Sequence, residues 1–290
     1  ARSRLLPGAE PEVSVALTDA FEAEGIAVET GLQYDSVSAS DKGVTLRVTQ
    51  EGASKEITAD RIVLTAGRQA NTEGLGLEGA GVQTDSRGGI VVGQDMQTSR
   101  PGIYAAGDVT DRDQFVYMAA YGAKLAARNA VLDGTERYDN STMPWVVFTD
   151  PQVAGVGLSE QQAIDAGHDV KTSVLPLDQV PRAQAARDAR GLIKLVADRD
   201  TDRLLGGQII APEGSDTIQT LVMALKAGMT TKTLGETIFP YLTTVEGRER
   251  PGEIFFRTHC PEHFPSVCSL IQSVNNECYR GYHEIIKSRA

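Results

Sequence analysis

Cysteine is missing from the first 259 residues of this 290-residue chain; Cys260, Cys268 and Cys278 all fall near its end. Nearly nine-tenths of the sequence therefore has no disulfide framework, and a thiol-dependent reaction would need cysteines from elsewhere. Positive charge is also scarce. Against 39 Asp and Glu stand 28 Lys and Arg, a formal charge of -11, so long-range electrostatics repel nucleic acid and anionic membrane surfaces. No uncharged apolar run approaches the roughly 20 residues of a bilayer crossing, and the opening Ala1-Arg-Ser-Arg4 lacks the apolar core of a signal peptide. A cytoplasmic protein with no nucleic-acid and no membrane partner is expected. What is present is ordinary globular composition, 41% hydrophobic and 23% charged, long enough for about two domains. The chain opens on Ala1 in what reads as a loop before a helix, and is expected to be a segment of something longer.

From Pro11 to Glu24 the apolar Val13, Leu17, Ala20 and Phe21 form one helical stripe, and Gly25 suits a left-handed C-terminal cap. Short strands are expected at Ile26 to Val28 and Val44 to Val48, then a turn over Glu51 to Ser54, Ile57, and a buried strand Ile62-Val-Leu64 running into Thr-Ala-Gly67. An apolar strand ending in glycine suits a parallel sheet whose backbone approaches a ligand or another helix; a tight turn explains it equally well. Past a Gly-rich stretch with a short strand at Ile90 to Val92, a strand of small residues, Gly102-Ile-Tyr-Ala-Ala-Gly-Asp108, would place a carboxylate where doubly wound sheets bind ligands. An exposed loop aspartate is the plainer reading. Gln114 to Leu132 reads as a helix whose Ala119, Ala120, Gly122, Ala123, Ala126 and Ala127 let it lie close to another backbone or a flat ring.

The polar Tyr138 to Thr142 stretch is the best domain boundary, and from Pro144 the pattern becomes α+β. Strands are expected at Val146 to Phe148, Val153 to Leu158, Val170 to Leu175, Leu192 to Val196 and Leu204 to Ile210, with a polar turn at Asp198 to Asp202. Ser159-Glu-Gln-Gln162 makes a capping box. A helix over Ser215 to Ala227 would turn Ile218, Leu221, Val222 and Leu225 toward the sheet, closed by Gly228.

Thr65-Ala-Gly-Arg-Gln-Ala-Asn71 resembles the A-T-G-R-x-P-N turn of the pyridine nucleotide-disulfide oxidoreductase family. Gly102 to Asp108 resembles that family's second flavin motif, and Val147 to Glu160 the opening of its dimerisation domain. Within the family, Asp113-Gln-Phe-Val-Tyr117, Leu177-Asp-Gln-Val-Pro-Arg182 and Phe239-Pro-Tyr-Leu-Thr-Thr-Val-Glu-Gly247 are more similar to mercuric reductases than to lipoamide dehydrogenases or glutathione reductases. The resemblance implies an α/β fold: partial doubly wound nucleotide-binding domains followed by an α+β interface domain. Residues 1–67 would end the NAD(P)-binding domain, 68–139 the FAD-binding domain, and 140–247 would form the dimerisation domain, completing the active site of a second copy in a homodimer.

The resemblance also implies roles. Gly67 and Gly107 would let backbone approach the cofactor, Asp108 would hydrogen-bond the ribityl chain of FAD, and the backbone of Val116 would meet the flavin ring. A helix N-terminus there favours negative charge on a reduced flavin. Arg2 falls where relatives carry a basic residue for the 2′-phosphate of NADPH, but the second basic position is Gly8, so NADH stays open. Tyr241 stands where disulfide reductases place the histidine of a His-Glu pair, and Glu246 stands at the glutamate position. A phenol of ordinary pKa, about 10, is a poor proton relay near neutrality. Reduction of Hg(II) to Hg(0) protonates no leaving thiol while soft thiolates hold the metal, so Tyr241 would line a site for the metal substrate.

The family's first flavin motif G-x-G-x-x-G, its Cys-x4-Cys redox pair and its glycine-rich nucleotide turn are absent. The expected function is thus a fragment of a flavin-dependent mercuric reductase, inactive alone. A lipoamide dehydrogenase-like disulfide reductase and a redox-inactive dimerisation fragment are the alternatives. Residues 248–290 resemble none of the family. Cys260-Pro-Glu-His263 with Cys268 and Cys278 has no recognised zinc spacing, and a frame shift or fusion near codon 248 is the expected origin of this tail.

Overall fold

The computed structural model describes residues 2–248, except 42, 133 and 135; the tail from residue 249, with all three cysteines, lies outside the described residues. Two compact units result. One gathers the described residues up to Tyr34, Thr49–Ala53 and those from Thr142 onward; the other holds Asp35–Val48 and Ser54–Ser141.

The first unit is built on five antiparallel strands: β4 (Trp145–Val147), β5 (Gln152–Gly157), β6 (Val170–Pro176), β7 (Leu192–Asp198) and β8 (Leu204–Ala211). They lie in the order β4-β5-β8-β7-β6. All five were expected from alternation and turn residues, and each lies within about two residues of its expected bounds. Side chains alternate between two faces. On one face Ala154, Val156, Ile193, Leu195 and Ile209 meet Ile218, Leu221 and Ala224 of α5 (Gly214–Lys226). On the other, Val153, Leu192 and Ile210 meet Ala9, with Val13 and Leu17 of α1 (Pro11–Ala23). Burying Val13 and Leu17 stabilises that docking by about 1.5–3 kcal/mol each before ordering entropy is charged.

Between them α3 (Glu160–Asp165) begins at the capping box, with Ser159 and Gln162 bonded reciprocally. Two short helices, α4 (Pro181–Ala186) and α6 (Thr231–Glu236), were not expected; each is six residues long and too short to express a 3.6-residue period.

The second unit contains most of a three-stranded sheet, β1 (Gln33–Ser40), β2 (Gly43–Gln50) and β3 (Ala53–Ala59), in that order, and the long α2 (Val116–Leu132). β1 went unseen in the sequence because every one of its side chains is exposed, leaving no apolar alternation to read. Four expected strands are corrected. Ile90 to Val92 makes only isolated bridges, Ile90 to Thr84 and Val92 to Thr98. Ile26 to Val28 is irregular. Residues 61–66 form no strand, with Val63 82% and Leu64 80% exposed instead of buried. Gly102 to Asp108 makes only an isolated bridge, at Tyr104 to Gln97. A strand exists only as a ladder, and among the described residues none runs beside these segments.

Among the described residues no helix is long and apolar enough to cross a membrane.

Candidate functional site

In the second unit, the chain after Tyr104 leaves Gly107 at φ 83°, and a single 3-10 turn follows over Asp108–Thr110. Glycine is needed at 107 twice over. Its φ lies in the left-handed region, and a Cβ there would stand 3.1 Å from Ala119 Cβ on α2. The small side chain at 119 thus lets the helix close on the turn, as the small-residue stripe suggested. One turn on, Gly122 faces Ala106, Met96 and Tyr138, where a Cβ would make ordinary contact at 3.4 Å.

The turn presents Asp108 with its carboxylate about half exposed. Arg68, next to Gly67 (φ 135°), brings Nη1 to 4.0 Å from Asp108 Oδ2 and donates from the same atom to the carbonyl of Gln114 at 2.7 Å. The Thr65 to Asn71 segment and the Gly102 to Asp108 segment, two separate motifs in the sequence, therefore meet. Sequence reasoning named Gly67 and missed Arg68, although that arginine belongs to the motif itself. Val116 begins α2 with its side chain 88% exposed and no acidic residue in the helix's first turn. Behind it, Asp113 accepts from Tyr138 Oη at 3.1 Å and from Asn140 Nδ2 at 2.8 Å. Burial first, then the Asp113 charge, push the Tyr138 phenol far above its ordinary value. It stays a hydrogen-bond donor at every physiological pH.

An open helix N-terminus, a glycine-narrowed turn and an exposed aspartate beside it fit one side of a flavin. Oriented peptide dipoles would face an electron-rich ring, and a carboxylate accepts from sugar-alcohol hydroxyls.

In the first unit, the segment after α6 packs Phe239 against the core and leaves Tyr241 58% exposed. Glu246 is buried; its Oε2 accepts the amide of Leu242 (φ 61°) at 2.9 Å, while its own amide donates to Thr243 Oγ1 at 3.3 Å. Gly247 lies against Ile193 and Val180, where a Cβ would come within 2.9 and 3.0 Å. The glutamate thus holds the turn that carries Tyr241, and the glycine docks it on the core. Arg2, also in this unit, is exposed, and its carbonyl accepts from Gly31 N at 2.7 Å. Among the described residues no group of His, Cys, Asp and Glu is arranged to hold a metal ion.

Sequence reasoning also missed a buried charge cluster. Lys194, in the apolar run Leu192 to Val196, is 1% exposed and donates to Glu10 Oε2 (3.0 Å), Glu12 Oε1 (3.0 Å) and Glu160 Oε2 (2.7 Å). The lysine in an otherwise apolar strand was the available signal.

Comparison with known proteins supplies the class. Residues 1–127 match the model of the pyridine nucleotide-disulphide oxidoreductases, and residues 143–250 match that family's dimerisation domain. The chain belongs to the pyridine nucleotide-disulphide oxidoreductase family. Within it, the chain is 41% identical over 244 residues to a mercuric reductase of Staphylococcus aureus, covering 84% of this chain and 45% of that protein. To a mercuric reductase of Acidithiobacillus ferrooxidans it is 44% identical over 257 residues, covering 89% and 46%. Among solved structures, the HOCl-induced flavoprotein disulfide reductase RclA from Escherichia coli superposes with TM-score 0.79 at 27% identity, over 87% of this chain and 57% of that one. The chain therefore spans about half the length of the curated relatives it matches.

Proposed function

We propose that this chain forms the flavin-binding turn and the interface domain of a mercuric reductase that works as a homodimer in the cytoplasm. The observation that carries the proposal is identity of 41% and 44% to mercuric reductases over more than four-fifths of the chain. In the proposed reaction NAD(P)H yields two electrons and a proton, and Hg(II) accepts both electrons to become Hg(0). The donor is NADPH if Arg2 meets the 2′-phosphate, and NADH otherwise. FAD, when bound, supplies the redox step between the nicotinamide and the thiols that hold the metal. Those thiols belong to a redox pair outside this chain's own sequence.

The chain's residues bind and orient. The 107–108 turn is proposed to seat the flavin's ribityl chain through Asp108, while the start of α2 at Val116 covers the ring. Gly67 gives the backbone freedom that brings Arg68 beside them. In the interface domain, assigned to residues 140–247, the exposed Tyr241 would face the metal site of the second copy, with Glu246 fixing its turn. Phe148 and Ile238, large and exposed on the same unit, are apolar surface of the kind a second copy covers.

The test is the reading frame around the Ala1 codon, expressed whole with this chain. NADPH oxidation that depends on Hg(II) and outpaces oxidation by lipoamide or glutathione disulfide is expected. Faster turnover of either disulfide would overturn the mercury reading. Two substitutions separate the proposed roles. Tyr241→Phe should lower Hg(II) turnover by about tenfold without loosening FAD, the loss of one hydrogen bond that matters in the reacting state. Asp108→Ala should do the reverse, lowering flavin content after gel filtration first. Full flavin occupancy in the alanine variant would remove Asp108 from the cofactor site.

A further inference from the structure

Between Asp108 and Val116 the chain makes a loop whose shape decides where the aspartate and the helix start are presented. One buried carboxylate sits at its hinge. Asp111 closes the 3-10 turn in a left-handed conformation (φ 54°), and its amide donates to Asp108 O at 3.0 Å. Its side chain is only 8% exposed. Oδ2 pairs with Arg87 Nε at 3.0 Å, and Oδ1 accepts from Gln114 Nε2 at 3.1 Å. The same stretch is tied to the 85–89 turn through Ile90 N, which donates to Val109 O at 2.9 Å. That turn is shaped to receive it. Asp85 Oδ1 accepts the amides of Arg87 and Gly89, and a Cβ on Gly89 would come within 2.7 Å of Asp111 Cβ.

We propose that Asp111, clamped between Arg87 and Gln114, is the positioning residue that sets the distance between Asp108 and the N-terminus of α2. The inference rests on the flavin reading of this site and names a residue whose side chain bonds to Arg87 and Gln114 and not to Asp108 or Val116. Charge and geometry support it. A left-handed, non-glycine hinge is strained unless its surroundings hold it, and a buried carboxylate without its guanidinium would turn outward to water. Gln114 links the clamp to the same backbone carbonyl that receives Arg68. Loss of the clamp would therefore move both Asp108 and Arg68.

Hydrogen exchange on the full 290-residue chain tests the clamp without any flavin. In Asp111→Asn and Arg87→Gln, the amides of Thr110, Asp111 and Ile90 should exchange about tenfold faster, the amides of β5, β7 and β8 at their former rate, and Arg87→Lys should keep most of the protection. Unchanged exchange at 108–116 would overturn the proposal. So would faster exchange throughout the second unit, which would make Asp111 a general stability residue. Titration with FAD adds the second arm. Where the parent chain takes up FAD, the dissociation constant should rise about tenfold in Asp111→Asn, and an unchanged constant would overturn the positioning role. Where the parent takes up none while the variant still loses loop protection, the clamp holds and the flavin reading of the chain falls instead.

Discussion

Lys194→Met is expected to destabilise the first unit by about 3–5 kcal/mol, the usual cost of removing one partner from a buried charge cluster. The ammonium answers three carboxylates, of which Glu10 is also buried while Glu12 and Glu160 are partly exposed. Glu10 also accepts the amide of Glu160 through Oε1 at 2.7 Å, and its own amide donates to Gln208 Oε1 at 2.8 Å. Without the lysine, three like charges crowd one spot between α1 and the sheet. Trp145 is the only tryptophan and packs in the cluster formed by α1 and that face of the sheet, so its fluorescence during urea unfolding reports this unit. A loss below about 1 kcal/mol would place the cluster among ordinary surface pairs.

The cluster has a signed pH dependence. Burial alone lowers the Lys194 pKa, but the hydrogen bonds it donates to Glu160, Glu10 and Glu12 outweigh it and raise the group above its ordinary 10.5. Its contribution is therefore complete below that pH and is lost only in strong alkali. Burial pushes the Glu12 carboxyl up, yet its backbone hydrogen bond and Lys194 together hold it below its ordinary 4.5. Stability should stay level across neutrality and fall once the pH drops below about 4.5, as Glu12 protonates. In Lys194→Met the acid slope from Glu12 should shrink, because the ammonium that lowered its pKa is gone. An unchanged slope would assign the acid sensitivity to other carboxylates.

The second large effect is expected at Gly191, just before β7. Its φ is 120°, and a Cβ built there would stand 1.9 Å from the carbonyl oxygen of Ile210 on β8. The oxygen belongs to backbone and the Cβ position is fixed by the backbone it is bonded to, so nothing flexible can yield. Gly191→Ala combines backbone strain of about 1–3 kcal/mol with overpacking of about 1–3 kcal/mol. A total of about 2–6 kcal/mol should appear in the same Trp145 unfolding curve. The carbonyl of Gly191 also accepts the amide of Leu177 at 3.0 Å, so strain there should spread to the β6–α4 connection. A near-neutral variant would mean that β7 and β8 can separate locally without loss.

Much of the molecule was legible beforehand, for reasons that differ by element. β5, β7 and β8 are short apolar runs between polar turns, and α5 carries Ile218, Leu221 and Leu225 on one stripe; period and burial agree there. The Ser159 to Gln162 box was readable because capping is a contact between residues three apart. Asp108 and Gly107 were singled out by a strand-end argument whose strand the structure does not form, and by the family motif.

The amino-acid order by itself determined the local rules: where helices start and stop, which strand faces are apolar, and which residues match the family's motifs. Tertiary structure alone decided the pairings across long separations. It set α1 against the sheet 130 to 200 residues later, so that Glu10 meets Lys194 and Gln208. It also left Val63 and Leu64 exposed although their composition reads as buried. The physical reason is the same in both cases. Propensity and periodicity are properties of a segment, while burial and charge neutralisation are properties of whatever the rest of the chain brings beside it.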